Sequence, residues 1–218
     1  MLCELRVIII DNGLETREKL LFSAKQEFLK NGFEKASLRI ICKNVNLTTG
    51  ALYFFFENKE AIFNCLVKDV AIEFKNMIYA FAQKEKAEHQ SASNDGKSNN
   101  THSDIAHEKF ILNYLYSNKD EFVLLTMKAK GSSYESYSAK MVQFLEQLFS
   151  EFFQLYHGKD ITNSKLAPLA IHYMVSWRIH CYLEMLKSNL PLEEALMQAE
   201  VIANYALGGF EYVMNNIQ

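Results

Sequence analysis

An all-α fold is predicted by three features of the chain. Two prolines and eight glycines in 218 residues are too few for a β-rich or loop-rich architecture. A hydrophobic content of 49% supplies a substantial core. Apolar residues recur at helical spacing along most of the chain, and a strand-like run shows only at Arg6–Ile10. The periodicity gives about nine helices, with a small amino-terminal domain over 16–60 and a larger one over 61–218.

Residues 1–15 stand outside the pattern that follows and read as an amino-terminal extension. The first helix is expected to start at Thr16, an N-cap residue, and to turn Leu20, Leu21, Ala24, Phe28 and Leu29 inward. Asn31-Gly32 closes it, glycine being favoured just past a helix end. Ser37 is placed to cap a second helix with Leu38, Ile41, Cys42 and Val45 inward, and Asn46 suits a left-handed turn. Thr48 caps a third, short helix that buries Ala51, Leu52 and Phe56. Asn58 caps a fourth helix running from Lys59 to about Glu88, with Ile62, Phe63, Leu66, Val70, Phe74, Met77, Ile78 and Phe81 as its apolar positions.

Residues 87–104 lose all periodicity and are rich in Ser, Asn and Asp, which predicts a flexible loop within the larger domain. Helices are then expected over 105–117, 119–130, 133–157, 164–188 and 192–216. Pro168 lies near a helix start and Pro191 just inside the last helix, where proline is tolerated. Asp120-Glu121 and Glu193-Glu194 read as solvated helix starts favoured by the helix dipole.

Charge is uneven. Residues 16–60 hold eight Lys/Arg against five Asp/Glu, a net of +3, and residues 61–218 hold fourteen against eighteen, a net of −4. A mildly basic head on an acidic body suits a head that meets phosphate. Cys3, Cys42, Cys65 and Cys181 form no CxxC pair, which fits a reducing compartment. No apolar run reaches membrane-spanning length, and the apolar part of LCELRVIIIDN is too short for a secretory signal, so a soluble cytoplasmic protein is expected. No phosphate-cradling glycine loop, nucleophile elbow or HExxH occurs, and no enzyme activity or cofactor is expected. His172 and His180 lie eight residues apart, too far to share an ion on one helix, so with Cys181 they predict no metal site.

The informative stretch is Gly32–Glu60, GFEKASLRIICKNVNLTTGALYFFFENKE, two short helices joined by a tight turn and followed by a longer helix. Such a unit commonly lays its second helix in the major groove of DNA. Gly32, Phe33, Ser37, Leu38, Arg39, Ile41, Thr48, Gly50, Leu52, Tyr53, Phe56, Lys59 and Glu60 stand in register with the DNA-binding domain of TetR-family transcriptional regulators, which the head resembles. Phe122–Tyr134 and the ending LPLEEALMQAEVIANYALGGFEYV resemble looser segments of the same family.

The resemblance implies DNA contacts from Ser37, Arg39, Thr48, Thr49, Gly50, Tyr53, Phe54 and Lys59. Gly50 would let the backbone approach DNA, Tyr53 and Lys59 would hold the sugar-phosphate backbone, and Arg39 would reach a phosphate or base edge. Ser37 and Thr48 have helix capping open to them as well. Four departures stand out. Thr49 replaces a frequent Lys or Arg, Asn46 replaces the turn glycine, Cys42 and Val45 replace alanines, and Phe54-Phe55 stand where polar aromatics or histidine are common. An A·T-leaning, weakly polar readout is the expectation.

The resemblance further implies a homodimer through the two carboxy-terminal helices, a near-palindromic double-stranded operator and a small-molecule effector acting by population shift. Phe74, Met77, Phe81, Tyr134, Tyr137, Met141, Tyr173, Trp177 and His180 are candidates to line an aromatic-rich effector pocket, although such stripes also build plain core. The protein is then expected to be a repressor released by a hydrophobic or aromatic effector. The alternative is an all-α interaction protein that keeps the fold without tight operator binding, which Thr49 and the Phe54-Phe55-Phe56 run leave open.

Overall fold

The computed structural model describes residues 2–91, 101–157 and 166–216, and these form nine helices with no strand. They are α1 (Leu2–Lys35), α2 (Leu38–Asn44), α3 (Thr49–Phe55), α4 (Lys59–Ser91), α5 (Thr101–Ser117), α6 (Lys119–Met127), α7 (Tyr137–His157), α8 (Ala167–Lys187) and α9 (Leu192–Asn216). The all-α class is therefore as the composition predicted.

Several boundaries differ. Residues 2–15 do not stand apart: they continue α1, so Thr16 sits inside a helix rather than capping one, and Arg6–Ile10 is helical. Residues 2–12 contain neither Gly nor Pro, and extending an established helix gains one hydrogen bond per residue ordered. Gly32 interrupts α1 with φ 74° and ψ 164°, the break expected there. The helices expected over 119–130 and 133–157 are shorter, because 128–136 is a run of turns around Gly131 at φ 85°. Serine hydroxyls compete for the backbone in that run: Ser132 Oγ donates to the Ala129 carbonyl at 2.7 Å and accepts the Tyr134 N–H at 3.1 Å. Of the loop expected over 87–104, residues 87–91 belong to α4 and 101–104 to α5, and 92–100 lie outside the described residues. Pro168 occupies the first turn of α8, and Pro191 stands just before α9, its carbonyl accepting the Ala195 N–H at 3.0 Å.

The chain divides into two compact units, Met1–Ala71 with Asp120–Ser136, and Ile72–Lys119 with Tyr137–Gln218. The first takes in more chain than residues 16–60. Its core joins Leu20, Ala24 and Phe28 of α1 to Ile41, Leu52, Ile62, Phe63 and Val67, all essentially inaccessible to solvent. Phe28, Phe33 and Phe63 form a three-ring centre, with both contacts of Phe63 edge-on at 5.2 Å. Asp120 and Glu121 stand in the first turn of α6 as expected, and they also meet the Lys25 ammonium at 3.3 and 2.6 Å, which ties α6 to α1.

In the second unit α5 packs on α9, and α8 packs on both α7 and α9. Ala195, Ala199 and Ala203 recur every fourth residue on the buried face of α9, where small side chains let another helix come close. Ala167, Ile171 and Val175 of α8 pack with Val142, Leu145 and Phe149 of α7. Glu108 is buried on α5, where its carboxylate accepts the Tyr182 hydroxyl and meets the Arg178 guanidinium at 2.7 Å. A buried carboxylate without such partners would be strongly destabilising.

Candidate nucleic-acid interface

The helix-turn-helix is held by polar struts from α1. Ser23 Oγ, itself buried, donates to the Ile41 carbonyl at 2.9 Å. The Glu27 carboxylate, also buried, accepts the Ser37 N–H at 3.1 Å and an Asn31 side-chain N–H at 3.0 Å. Ser37 occupies the N-cap position of α2, but its side chain makes no capping bond, contrary to expectation. The start of α2 is fixed by Glu27 instead. The signal for Glu27 was faint: a charged residue beside the apolar face of Leu20, Ala24 and Phe28.

The turn follows its sequence. Asn46 adopts φ 57°, and the Leu47 N–H returns to the Cys42 carbonyl at 2.9 Å. Thr48 caps α3, its Oγ1 accepting the Ala51 N–H at 3.2 Å. Asn58 caps α4 in the same way, accepting the Ala61 N–H at 2.8 Å. Burial pushes the Cys42 thiol above its ordinary pKa, so this side chain behaves as a small core hydrophobe.

With α3 anchored by Leu52 and Phe56, its outer face presents Thr49, Gly50, Tyr53 and Phe54, all exposed. Tyr53 is 55% and Phe54 83% accessible. The Phe54 ring meets Phe55 edge-on, with centroids 5.1 Å apart and planes at 88°. A Cβ added at Gly50 would meet only Thr48 Oγ1, at 3.7 Å, an ordinary contact. The fold therefore does not require glycine there. Arg39 and Thr48 are exposed too, and Ser37 is half-buried.

Lys59 is differently engaged. Its ammonium donates to the carbonyls of Glu34 at 3.2 Å and Ala36 at 3.4 Å and lies 4.6 Å from the centre of the Phe33 ring. It thus satisfies carbonyls at and just past the end of α1, a structural task that sequence reasoning missed.

The nine residues expected to line an effector pocket fall in both units, eight of them in the second. Tyr134 lies in the first unit, donating to Asn64 Oδ1 at 2.6 Å beside Phe63, and burial first, then the Glu60 and Asp69 charges, raise its phenol pKa. In the second, Phe74 is buried and stacked on Tyr114, Met141 is buried, and Met77, Tyr137 and Trp177 are half-buried. Phe81 lies 4.6 Å from the His107 ring, while Tyr173 and His180 are exposed. An open groove of about 700 Å³ between α7 and α8 is lined by Glu146, Gln147, Ser150, Leu169 and His172, with none of the nine among its lining residues. Among the described residues no three potential ligands gather to hold a metal ion, and no helix is long and apolar enough to cross a membrane.

A family model described as "Bacterial regulatory proteins, tetR family" matches residues 20–66, the segment that builds this helix-turn-helix. The head is similar to those of tetR-family regulators. The HTH-type transcriptional regulator UidR of Escherichia coli K12 is 38% identical over 52 residues, covering 24% of this chain and 26% of its own. The HTH-type transcriptional repressor BepR of Brucella suis biovar 1 is 42% identical over 53 residues, covering 24% and 25%. The chain thus spans about a quarter of the length of the curated relatives it matches.

Solved structures extend the likeness in fold along nearly the whole chain. NalD of Pseudomonas aeruginosa, the secondary repressor of the MexAB-OprM multidrug efflux pump, covers 91% of this chain and 97% of its own, with a TM-score of 0.53 at 17% identity. The transcriptional regulator FadR of Bacillus subtilis, solved in complex with stearoyl-CoA, covers 88% and 98%, with a TM-score of 0.50 at 14% identity.

Proposed function

We propose that the protein is a homodimeric, sequence-specific DNA-binding transcriptional regulator, a repressor released by a small hydrophobic or aromatic effector. The observation that carries this reading is the outer face of α3: Thr49, Gly50, Tyr53 and Phe54 exposed together on a helix whose other side is locked into the tetR-like head. Tyr53 and Arg39 are the proposed backbone grips, Thr48 and Thr49 supply hydroxyls beside them, and the absence of a Cβ at Gly50 lets DNA come close. Ser37 Oγ, which caps nothing, is offered to phosphate. Lys59 is kept among the proposed contacts, with the carbonyls of Glu34 and Ala36 competing for its ammonium.

Dimerisation through α8 and α9 is supported by an apolar stripe. Met197, Val201, Tyr205 and Tyr212 on α9 and Leu169 and Tyr173 on α8 are all large and exposed. Exposed large apolar side chains on the two helices favour a protein–protein interface there. Two heads in a two-fold dimer would meet a near-palindromic operator. The effector is assigned to the second unit, where its binding shifts the population of dimers whose heads match the operator. The stearoyl-CoA bound to FadR is an apolar-chain ligand held by a protein of similar fold, in line with a hydrophobic effector here.

A second reading has a specific observation behind it. The seven residues of α3, TGALYFF, include no charged side chain, which suits an interaction protein that keeps the fold without tight operator binding. Binding of the purified protein to the DNA upstream of its own gene, at two salt concentrations, separates the two. A salt-sensitive specific complex that is lost in Tyr53→Ala, with thermal stability unchanged, supports the regulator. Equal binding to all duplexes, or none, supports the alternative.

A further inference from the structure

We infer that Phe54 recognises the C5-methyl group of a thymine, so that each operator half-site carries a T·A pair chosen by apolar contact at the centre of the α3 footprint. This rests on the reading of the first unit as a major-groove head and names what that head selects. Four residues form the outer face of α3, and none is Arg, Lys, Asn, Gln, Asp or Glu. Those are the side chains that pair with guanine, adenine or cytosine edges in the major groove. The hydroxyls of Thr49 and Tyr53 can donate or accept, so they select weakly among bases. One feature of the groove is apolar, the thymine methyl, and one side chain on this face is wholly apolar, Phe54.

The geometry favours that contact. Among the described residues Phe54 is the most exposed of the large hydrophobics, at 83%, so most of its ring is open to a partner. Its edge-on contact with Phe55 restrains the ring. Gly50 precedes Phe54 by four residues and therefore lies beside it on the helix face, leaving a gap where a Cβ would otherwise stand. A methyl group fits a gap of that kind. Phe54→Ala removes an exposed side chain, so the head is expected to fold as before.

The test begins with the full-length protein and a pool of random duplexes, from which bound sequences are enriched. Each thymine of the selected half-site is then replaced singly by deoxyuridine, which removes the C5-methyl and leaves every hydrogen-bonding group. One position per half-site is expected to lose roughly fourfold in affinity, the worth of one buried methyl. Phe54→Ala should bind the thymine and deoxyuridine operators equally at that position, and Phe54→Leu should keep part of the difference. Indifference of the parent protein to deoxyuridine at every position, or an unchanged ratio in Phe54→Ala, overturns the inference and leaves the regulator reading intact. Failure to enrich any duplex overturns both.

Discussion

The buried carboxylate of Glu27 on α1 accepts the backbone N–H of Ser37, ten residues downstream, at 3.1 Å. The helix that precedes α3 is thus set by a residue of α1, and the serine at its own start is left with an uncommitted hydroxyl. Glu27→Ala leaves the Ser37 N–H and the Asn31 amide without this acceptor and is expected to cost about 1–3 kcal/mol, read by urea denaturation. Ser37→Ala should change stability by no more than a few tenths of a kcal/mol. If Ser37→Ala destabilises as much as Glu27→Ala, the assignment of the cap to Glu27 is wrong.

Gly50 offers a case in which stability and binding move in opposite directions. It lies within α3, and a Cβ there has room. Gly50→Ala is expected to stabilise the head by roughly 0.5–1 kcal/mol, because alanine loses less chain entropy in a helix. The same Cβ would hold the DNA away from α3, so operator affinity should fall. A thermal melt and a binding titration on one preparation check both. Unchanged binding would mean that Gly50 does not face DNA.

Phe63 joins Phe28 and Phe33 through two edge-on contacts and has no solvent-accessible surface. Phe63→Ala is expected to cost about 3–5 kcal/mol through lost burial and a cavity that rings cannot collapse to fill. Phe63→Leu should recover a large part of it. Calorimetry of the three proteins orders them, and equal melting temperatures would refute the ring cluster as a stability centre.

Tyr182 predicts an alkaline limit for the second unit. Burial first, and then the neighbouring Glu108 carboxylate, hold its phenol well above the ordinary value of 10.0. The folded pKa is raised, so this contribution is complete below pH 10 and declines as pH rises further, because the unfolded chain gives up a proton that the native state keeps. Tyr182→Phe should lower stability at neutral pH by about 1–3 kcal/mol, through the acceptor left behind on Glu108. It should also flatten the decline above pH 10 relative to the parent. Parallel pH profiles would remove Tyr182 as the responsible group.

The parts legible in the sequence were those specified by neighbours a few residues apart. The Thr48 and Asn58 caps, the Asn46 turn and the Gly32 break all depend on local backbone chemistry, and each stands where the spacing placed it. The interruption over 128–136 was missed because apolar residues continue around it, while the serine hydroxyls and Gly131 decide the backbone. Glu27, Lys25 and Lys59 were illegible for another reason. Apart from Asn31, four residues from Glu27, their partners are 10 to 96 residues away, and a charged residue at the edge of an apolar stripe looks the same whether it faces water or a distant partner. The effector residues are the least legible, because aromatic residues at helical spacing describe core, surface and pocket alike: Phe74 is buried, Tyr173 is exposed and Tyr134 is hydrogen-bonded to Asn64.

The uncharged face of α3 separates two quantities that most major-groove readers mix. With no cation on α3, the helix proposed to face the bases, ion release from the duplex would come from side chains elsewhere on the head, such as Arg39. Plots of log affinity against log salt for a family of operator variants should then run parallel, displaced vertically by the base pair under Phe54. Selectivity in this protein would be set by shape and methyl groups, and would hold its value across ionic strengths at which overall occupancy changes by orders of magnitude.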